Sequence, residues 1–152
     1  MNHLDLQIIS VSEHLPTEYD FQSWIDRVLS QSESLEIVIR VIDEDEMAQY
    51  NQQFRGKSGA TNILSFPFDC PEPVTSSLLG DLLICAPVVE REAQEQGKPL
   101  LHHWAHIVIH GTLHLLGYDH LNDTEAEEME ALEIQFLNAL NIKNPYEEIK
   151  LT

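Results

Sequence analysis

Three histidines in one short stretch have the residue types and the spacing of metal ligands. His110 and His114 are four residues apart, so on a helix both rings project from one face and can bind one ion together. On a straight helix His120 would lie about 15 Å beyond His110, because each residue adds about 1.5 Å. Gly117 removes this difficulty, since glycine tolerates the left-handed backbone that ends a helix and reverses the chain. Three imidazoles leave one position of a dipositive ion open, which predicts a catalytic metal site.

The spacing of these histidines is also that of the metzincin proteases, whose pattern is H-E-x-x-H-x-x-G-x-x-H. This chain agrees with the pattern at every fixed position except one, where Gly111 replaces the glutamate base. We therefore expect a metzincin-like metal helix without the side chain that activates water for peptide cleavage. This difference argues against an ordinary protease.

Residues 110–120, His-Gly-Thr-Leu-His-Leu-Leu-Gly-Tyr-Asp-His, resemble the signature of the YbeY family of bacterial rRNA maturation factors. Further stretches agree with the family in the same order, over roughly residues 40 to 140: Asn51–Lys57, Thr61–Pro67 and Leu79–Ile84. The resemblance implies a single-strand-specific, metal-dependent endoribonuclease acting in 16S rRNA 3′-end maturation and late ribosome quality control. It implies single-stranded RNA of the 16S precursor as substrate, and a ribosomal subunit or ribosomal protein as partner.

Arg55 is the second candidate for function. It lies in the cationic, glycine-flanked segment Phe-Arg-Gly-Lys-Ser-Gly of an acidic chain, and an arginine fork matches a phosphate group. A salt bridge to one of the many acids is the alternative, but the resemblance aligns Arg55 with the conserved arginine of the family. Asp119 is expected to orient a histidine ligand or to accept a proton, or else simply to cap the turn. The predicted catalytic residues are thus Arg55, His114 and Asp119, and Lys57 is expected to be solvated.

The chemistry predicted from these residues is metal-assisted hydrolysis of a phosphodiester, with Arg55 offsetting charge on the phosphate. Attack by the 2′-hydroxyl of RNA is the alternative route. Three imidazole nitrogens suit zinc best, with nickel, copper or iron as alternatives. Two other classes stay open: a metal-dependent hydrolase of a different substrate, and a non-catalytic ribosome-associated factor that a metal stabilises.

The charge of the chain disfavours non-specific binding of nucleic acid. Twenty-six acids against eight bases give a net charge of −18, which repels polyanions. Any affinity for RNA is therefore expected to be local, near the metal and a few cations. Six acids crowd one C-terminal segment: Asp123, Glu125, Glu127, Glu128, Glu130 and Glu133. We expect them on the solvated outer face of a helix, with docking of a basic partner such as a ribosomal protein as the alternative.

Length and composition favour one globular domain over residues 1–152, since 43% of the residues are hydrophobic. No apolar run approaches the roughly 18 residues that span a bilayer, and the first residues lack the features of a signal peptide. We therefore predict a cytoplasmic protein that does not enter a membrane. Cys70 and Cys85 are expected to be free thiols that pack as small residues.

The periodicity of apolar residues predicts an α+β (mixed α/β) domain, with a mixed four-stranded sheet packed by about five helices. The predicted strands are 4–10, 36–43, 63–66 and 80–85. The predicted helices are 20–30, 43–54 with Asp43 as its cap, 87–96, 100–116 and 124–140. The proline-containing loop 69–78 is expected to be mobile.

The other histidines are assigned smaller roles. His106 lies one turn before His110, and we expect it to pack beside the site rather than to bind the ion. His102 and His103 are expected at the surface. His3 and His14 carry no recognisable chemistry.

Overall fold

The computed structural model describes residues 2–29, 35–68, 78–118 and 122–145. In these ranges the elements are β1 (His3–Ile8), α1 (Glu18–Val28), β2 (Glu36–Ile42), α2 (Glu44–Arg55), β3 (Ile63–Pro67), β4 (Leu78–Cys85), α3 (Ala86–Gln96), α4 (Leu100–Leu115) and α5 (Asp123–Ala139). The predicted α+β class, with a mixed four-stranded sheet and five helices, is confirmed. None of the described helices is both long enough and apolar enough to cross a membrane. The extent of the domain over residues 1–152 stays a prediction, and 69–77 of the predicted mobile loop lie outside the described residues.

The sheet has the strand order β1-β2-β4-β3. β1, β2 and β4 are parallel to one another, and β3 pairs antiparallel with β4, with Leu64 opposite Leu83. β3 is therefore at one edge of the sheet that the described residues form, and its residues line part of a cleft.

Alternation along β2 and β4 gives the sheet two different faces. On one face Ile37, Ile39, Leu82 and Ile84 are completely or almost completely buried in the main core, together with residues of α1 and α4. The opposite face carries Ile42 and Leu83, which pack in a second, smaller cluster with Met47 of α2. The other buried members of this cluster are Leu64, Cys85 and Val88. The near-continuous apolar run of β2 is thus explained by burial on both sides.

Helix α4 lies at the centre of the fold. It contacts β3 and β4 on one side, and α1, α3 and α5 around the rest of its circumference. Ten of its sixteen residues are buried, including Trp104, whose ring meets that of Phe21 edge-on at 5.7 Å. Replacing such a buried aromatic side chain by alanine typically costs about 3–5 kcal/mol. Because α4 is fixed on so many sides, the polar residues along it are held in a defined position.

Helix α1 starts earlier than the sequence predicts, and the predicted cap of α2 makes different contacts. Thr17 forms a capping box with Asp20, so α1 begins at Glu18, two residues earlier than expected. Asp43 occupies the predicted N-cap position of α2, but its side chain makes no capping hydrogen bond. Its carboxylate instead accepts hydrogen bonds from Ser10 Oγ at 2.5 Å and Val11 N at 3.1 Å, which fixes the chain after β1.

Cys85 is a buried free thiol at the end of β4. Burial is the main reason that the pKa of this thiol is raised to about 11, so it remains protonated at neutral pH. The predicted packing role is confirmed for Cys85, whereas Cys70 lies outside the described residues.

Candidate functional site

Four histidines follow one another along one side of α4. They are three or four residues apart, so successive rings meet: the ring centroids of His103 and His106 are 6.1 Å apart, and those of His106 and His110 are 6.2 Å apart. His110 and His114 are closest, with centroids 4.7 Å apart. The structure therefore brings together the two helical histidines that the sequence singled out as a pair.

The end of α4 has the turn that the sequence required. Gly117 has a φ of +104°, a backbone conformation that residues with side chains rarely adopt. Its N–H donates to the carbonyl oxygen of His114 at 3.0 Å, and that of Tyr118 donates to Leu113 at 3.1 Å. These two bonds form a Schellman motif, which ends the helix at Leu115, one residue after His114. His120 and Asp119 lie outside the described residues, so their predicted roles stay predictions.

An open cleft of about 660 Å³ lies beside the histidine pair. It is bounded by three elements: the end of α2, the edge strand β3 with the two residues before it, and the last turn of α4. Its lining residues are Phe54, Arg55, 61–67, His110, His114, Gly117 and Tyr118. Arg55 is the last residue of α2 rather than part of the following loop, and its side chain is exposed at the cleft. Among the described residues, no carboxylate lies within ion-pair distance of Arg55.

Glu133 of α5 lies beside two of the four histidines of α4, His106 and His110. Its carboxylate is completely buried, and its Oε1 forms a short hydrogen bond with His110 Nδ1. Oε1 also lies 3.9 Å from His106 Nε2. The expectation that all six C-terminal acids face solvent is therefore wrong for Glu133. The other five are exposed or half-buried, as expected.

His106 is largely enclosed between α4 and α5. Burial, the dominant effect, lowers the pKa of His106 to about 4, although Glu133 acts in the opposite direction. His106 is therefore neutral at pH 7. Candidate ligand atoms of His106, His110 and Glu133 all lie within 4.8 Å of one another, so these three residues form an alternative group that could hold a metal ion.

A second carboxylate, that of Glu92 in α3, contacts both a histidine of α4 and a residue that lines the cleft. His103 is buried, contrary to the expectation that it lies at the surface, and its Nε2 is 3.0 Å from Glu92 Oε1. The same carboxylate accepts a hydrogen bond from Asn62 Nδ2 at 3.3 Å. Asn62 lines the cleft, so Glu92 fixes the side chain of a cleft residue. His102, by contrast, is half-buried.

Gly111 faces the sheet rather than the cleft. A Cβ atom at this position would lie 2.5 Å from Ile63 Cδ1 and 2.9 Å from Leu82 Cδ2. A side chain at position 111 would therefore displace the ends of these two side chains. The close packing of α4 on the sheet disfavours a glutamate at the position where a metzincin carries its base.

Two comparisons connect this site to known proteins. A family model described as "Endoribonuclease YbeY" matches residues 7–141, which is most of the chain. The chain belongs to the YbeY family. The YbeY-family fold is also similar to the solution structure of TM1509 from Thermotoga maritima, with a TM-score of 0.61 and 26% sequence identity. That match covers 88% of this chain and 87% of TM1509.

Membership of the YbeY family confirms the reaction class predicted from the sequence. The chain is an endoribonuclease, a hydrolase that acts on RNA, and its activity belongs to rRNA processing. It is also a metal-binding protein, and the histidines of α4 provide suitable donors.

The sequence did not predict that Glu92 and Glu133 contact the histidines of this YbeY-family site. One signal was available for Glu133, because it occupies the middle of a stripe whose neighbours four residues away, Met129 and Leu137, are both buried. A glutamate in the centre of an apolar stripe requires a buried partner. For Glu92 the sequence offers no comparable signal.

Proposed function

We propose that this chain is a single-strand-specific endoribonuclease that matures the 3′ end of 16S rRNA and acts in quality control of late ribosomes. The observation that carries the proposal is the shared cleft, in which His110, His114 and Arg55 line one open space of about 660 Å³. The 16S substrate, and a ribosomal subunit or ribosomal protein as partner, follow from the family resemblance. Both would place the reaction in the cytoplasm, and co-sedimentation with small ribosomal subunits tests the partner.

The proposed ligands of a single zinc ion are His110, His114 and His120. The first two fit such an ion because they are four residues apart on one helix, with ring centroids 4.7 Å apart. Gly117, with its left-handed backbone, follows the end of α4 and lies before position 120, and a third ligand at that position requires such an end to the straight helix. When bound with an open position, zinc supplies a Lewis acid that polarises a phosphoryl oxygen and makes water a stronger nucleophile.

Arg55 is proposed to hold the scissile phosphate. Its guanidinium presents donors in a planar fork that matches two phosphate oxygens, and its charge offsets the charge that develops in the transition state. Its exposure at the cleft leaves it available to RNA. Asp119, next to His120 in the sequence, is proposed to orient that ring or to accept a proton.

The test pairs metal analysis with cleavage of a single-stranded RNA. His114→Ala is expected to lower the bound zinc and abolish cleavage. Arg55→Ala is expected to retain zinc and to lower kcat/KM about 100-fold or more, because a transition-state contact is lost. Matched controls are Arg91→Ala, at an exposed ion pair with Glu44, and His14→Ala, at an exposed position; both should behave as wild type.

Two results would contradict the proposal. One is full cleavage by His114→Ala, and the other is a zinc-loaded wild-type protein that does not cleave single-stranded RNA. A matching all-deoxy strand separates the two chemical routes, because attack by the 2′-hydroxyl is impossible on it. Cleavage of that strand at a similar rate indicates direct hydrolysis.

A further inference from the structure

Glu133 is the one acidic residue that is fully buried in the described part of the chain. It projects from α5 between Met129 and Leu137, which are also buried. An ionised carboxylate in such a place is strongly disfavoured unless a partner donates to it. Among the described residues, His110 Nδ1 is a partner at hydrogen-bond distance.

This contact determines which nitrogen of His110 carries the proton. A neutral imidazole has one N–H group and one lone pair, and its hydrogen-bond partner selects between the two arrangements. An ionised carboxylate accepts hydrogen bonds and has none to donate, so beside an ionised Glu133 the proton of His110 is on Nδ1. The lone pair is then on Nε2, at the opposite edge of a ring that lines the cleft.

The geometry argues against Glu133 as a ligand itself. Two ligands at about 2.1 Å from one tetrahedral zinc lie about 3.4 Å apart. Glu133 Oε1 and His110 Nδ1 are instead in direct hydrogen-bond contact, which leaves no room for an ion between them. His106 Nε2 is 3.9 Å from the same oxygen and is enclosed between the helices rather than lining the cleft.

We infer that Glu133 is a positioning residue for the metal centre: it fixes the ring and the protonation of His110 so that Nε2 is presented to the ion. This inference rests on the proposed role of His110 as a ligand. Carboxylates that accept the second N–H of a ligating histidine commonly raise metal affinity by about 10- to 100-fold. The same effect is expected here, with the carboxylate supplied by a helix that follows the metal-binding segment.

The decisive variants are Glu133→Gln and Glu133→Met. Glutamine can donate as well as accept, so it no longer selects one arrangement of His110, and methionine removes the acceptor while filling similar space. Zinc affinity, measured by competition with a chromophoric chelator, is expected to fall by about 10- to 100-fold in both. Glu128→Gln, at an exposed position of α5, is the matched control and should bind zinc as wild type does.

Two further measurements distinguish positioning from support of the fold. Histidine ¹⁵N NMR of the metal-free protein should report Nδ1–H for His110 in wild type and a mixture in Glu133→Gln. Thermal unfolding of metal-free Glu133→Met should be unchanged or occur at a higher temperature, because replacing a buried charged group by an apolar one often stabilises a protein.

The outcomes separate this inference from the proposed function. If zinc binding depends on His114 but both Glu133 variants keep wild-type affinity and the Nδ1–H form, the positioning role is wrong and the metal site stands. If His114→Ala keeps its zinc while Glu133→Gln and His106→Ala lose it, Glu133 is a ligand and both proposals are overturned.

Discussion

Among single residues, Gly111 is one whose replacement by alanine can raise or lower the free energy of unfolding, depending on how tightly it is packed. In an open helix, Gly→Ala stabilises by about 1 kcal/mol. At Gly111 the added methyl group would meet Ile63 and Leu82, and overpacking of this kind costs about 1–3 kcal/mol. Gly111→Ala is therefore expected to lower the free energy of unfolding by about 1 kcal/mol, which lowers Tm by about 2–4 °C in a chain of this size. Thermal unfolding followed by circular dichroism measures the change.

Ile63→Val supplies the control for Gly111→Ala, because it removes the Cδ1 atom that the new methyl group would meet. In the double variant, part of the loss caused by Gly111→Ala should be recovered, as expected for residues in contact. A higher Tm for Gly111→Ala alone would show that α4 does not press on the sheet at this point.

Individual residues also show how much of the site could be predicted from the sequence. His110 and His114 were predictable because they are on one helix, where spacing alone fixes their proximity. Glu133 is 23 residues from His110, and their contact depends on how α5 packs against α4. His103 was assigned to the surface because its burial depends on α3, which supplies Glu92 as its partner.

At the element scale, apolar periodicity predicted every strand and helix of the described residues to within a few positions. The differences are at the ends of the helices, where single side chains determine the first residue and its contacts. Thr17 extends α1, and the side chain of Asp43 bonds to Ser10 and Val11 rather than capping α2. The antiparallel pairing of β3 with β4 was not predictable from pattern, because strand order depends on contacts between distant segments.

The turn at Gly117, which follows the end of α4, is expected to matter for both stability and zinc binding. Gly117→Ala forces a side chain into a backbone with φ of +104°, at a cost of about 1–2 kcal/mol. Because the proposed third ligand, His120, is three residues after Gly117 in the sequence, we expect zinc affinity to fall together with stability. Chelator competition and thermal unfolding measure the two effects on the same sample.

Gly97→Ala is the matched control for this turn. Gly97 ends α3 with φ of +65°, and an added Cβ would meet nothing within 4 Å at either glycine. Gly97→Ala should therefore lower stability while zinc affinity stays at the wild-type value. An equal loss of zinc affinity in both variants would mean that general destabilisation, rather than the path of the chain after α4, explains the effect.

At the scale of the whole molecule, the charge of −18 has to be reconciled with an RNA substrate. Long-range attraction cannot bring a polyanion to such a chain, so affinity must come from contacts within the cleft. Arg55 lines that cleft and Lys57 follows two residues later, whereas other described cations are engaged elsewhere, such as Arg40 with Glu46 and Arg91 with Glu44. A small number of phosphate contacts predicts a weak dependence of binding on salt.

The weak salt dependence of RNA binding corresponds to a shallow slope of log K against log[salt]. For a single strand, log K falls with log[salt] by about 0.7 for each phosphate that a cation neutralises, so contacts from Arg55 and Lys57 predict a slope of about −1.4. Fluorescence anisotropy with a labelled single-stranded RNA and metal-free protein measures it without cleavage. Arg55→Ala should bring the slope to about −0.7, and Arg91→Ala should leave it unchanged. A wild-type slope several times steeper would mean that RNA contacts an extended cationic surface, and an unaltered slope in Arg55→Ala would remove Arg55 from the RNA contacts.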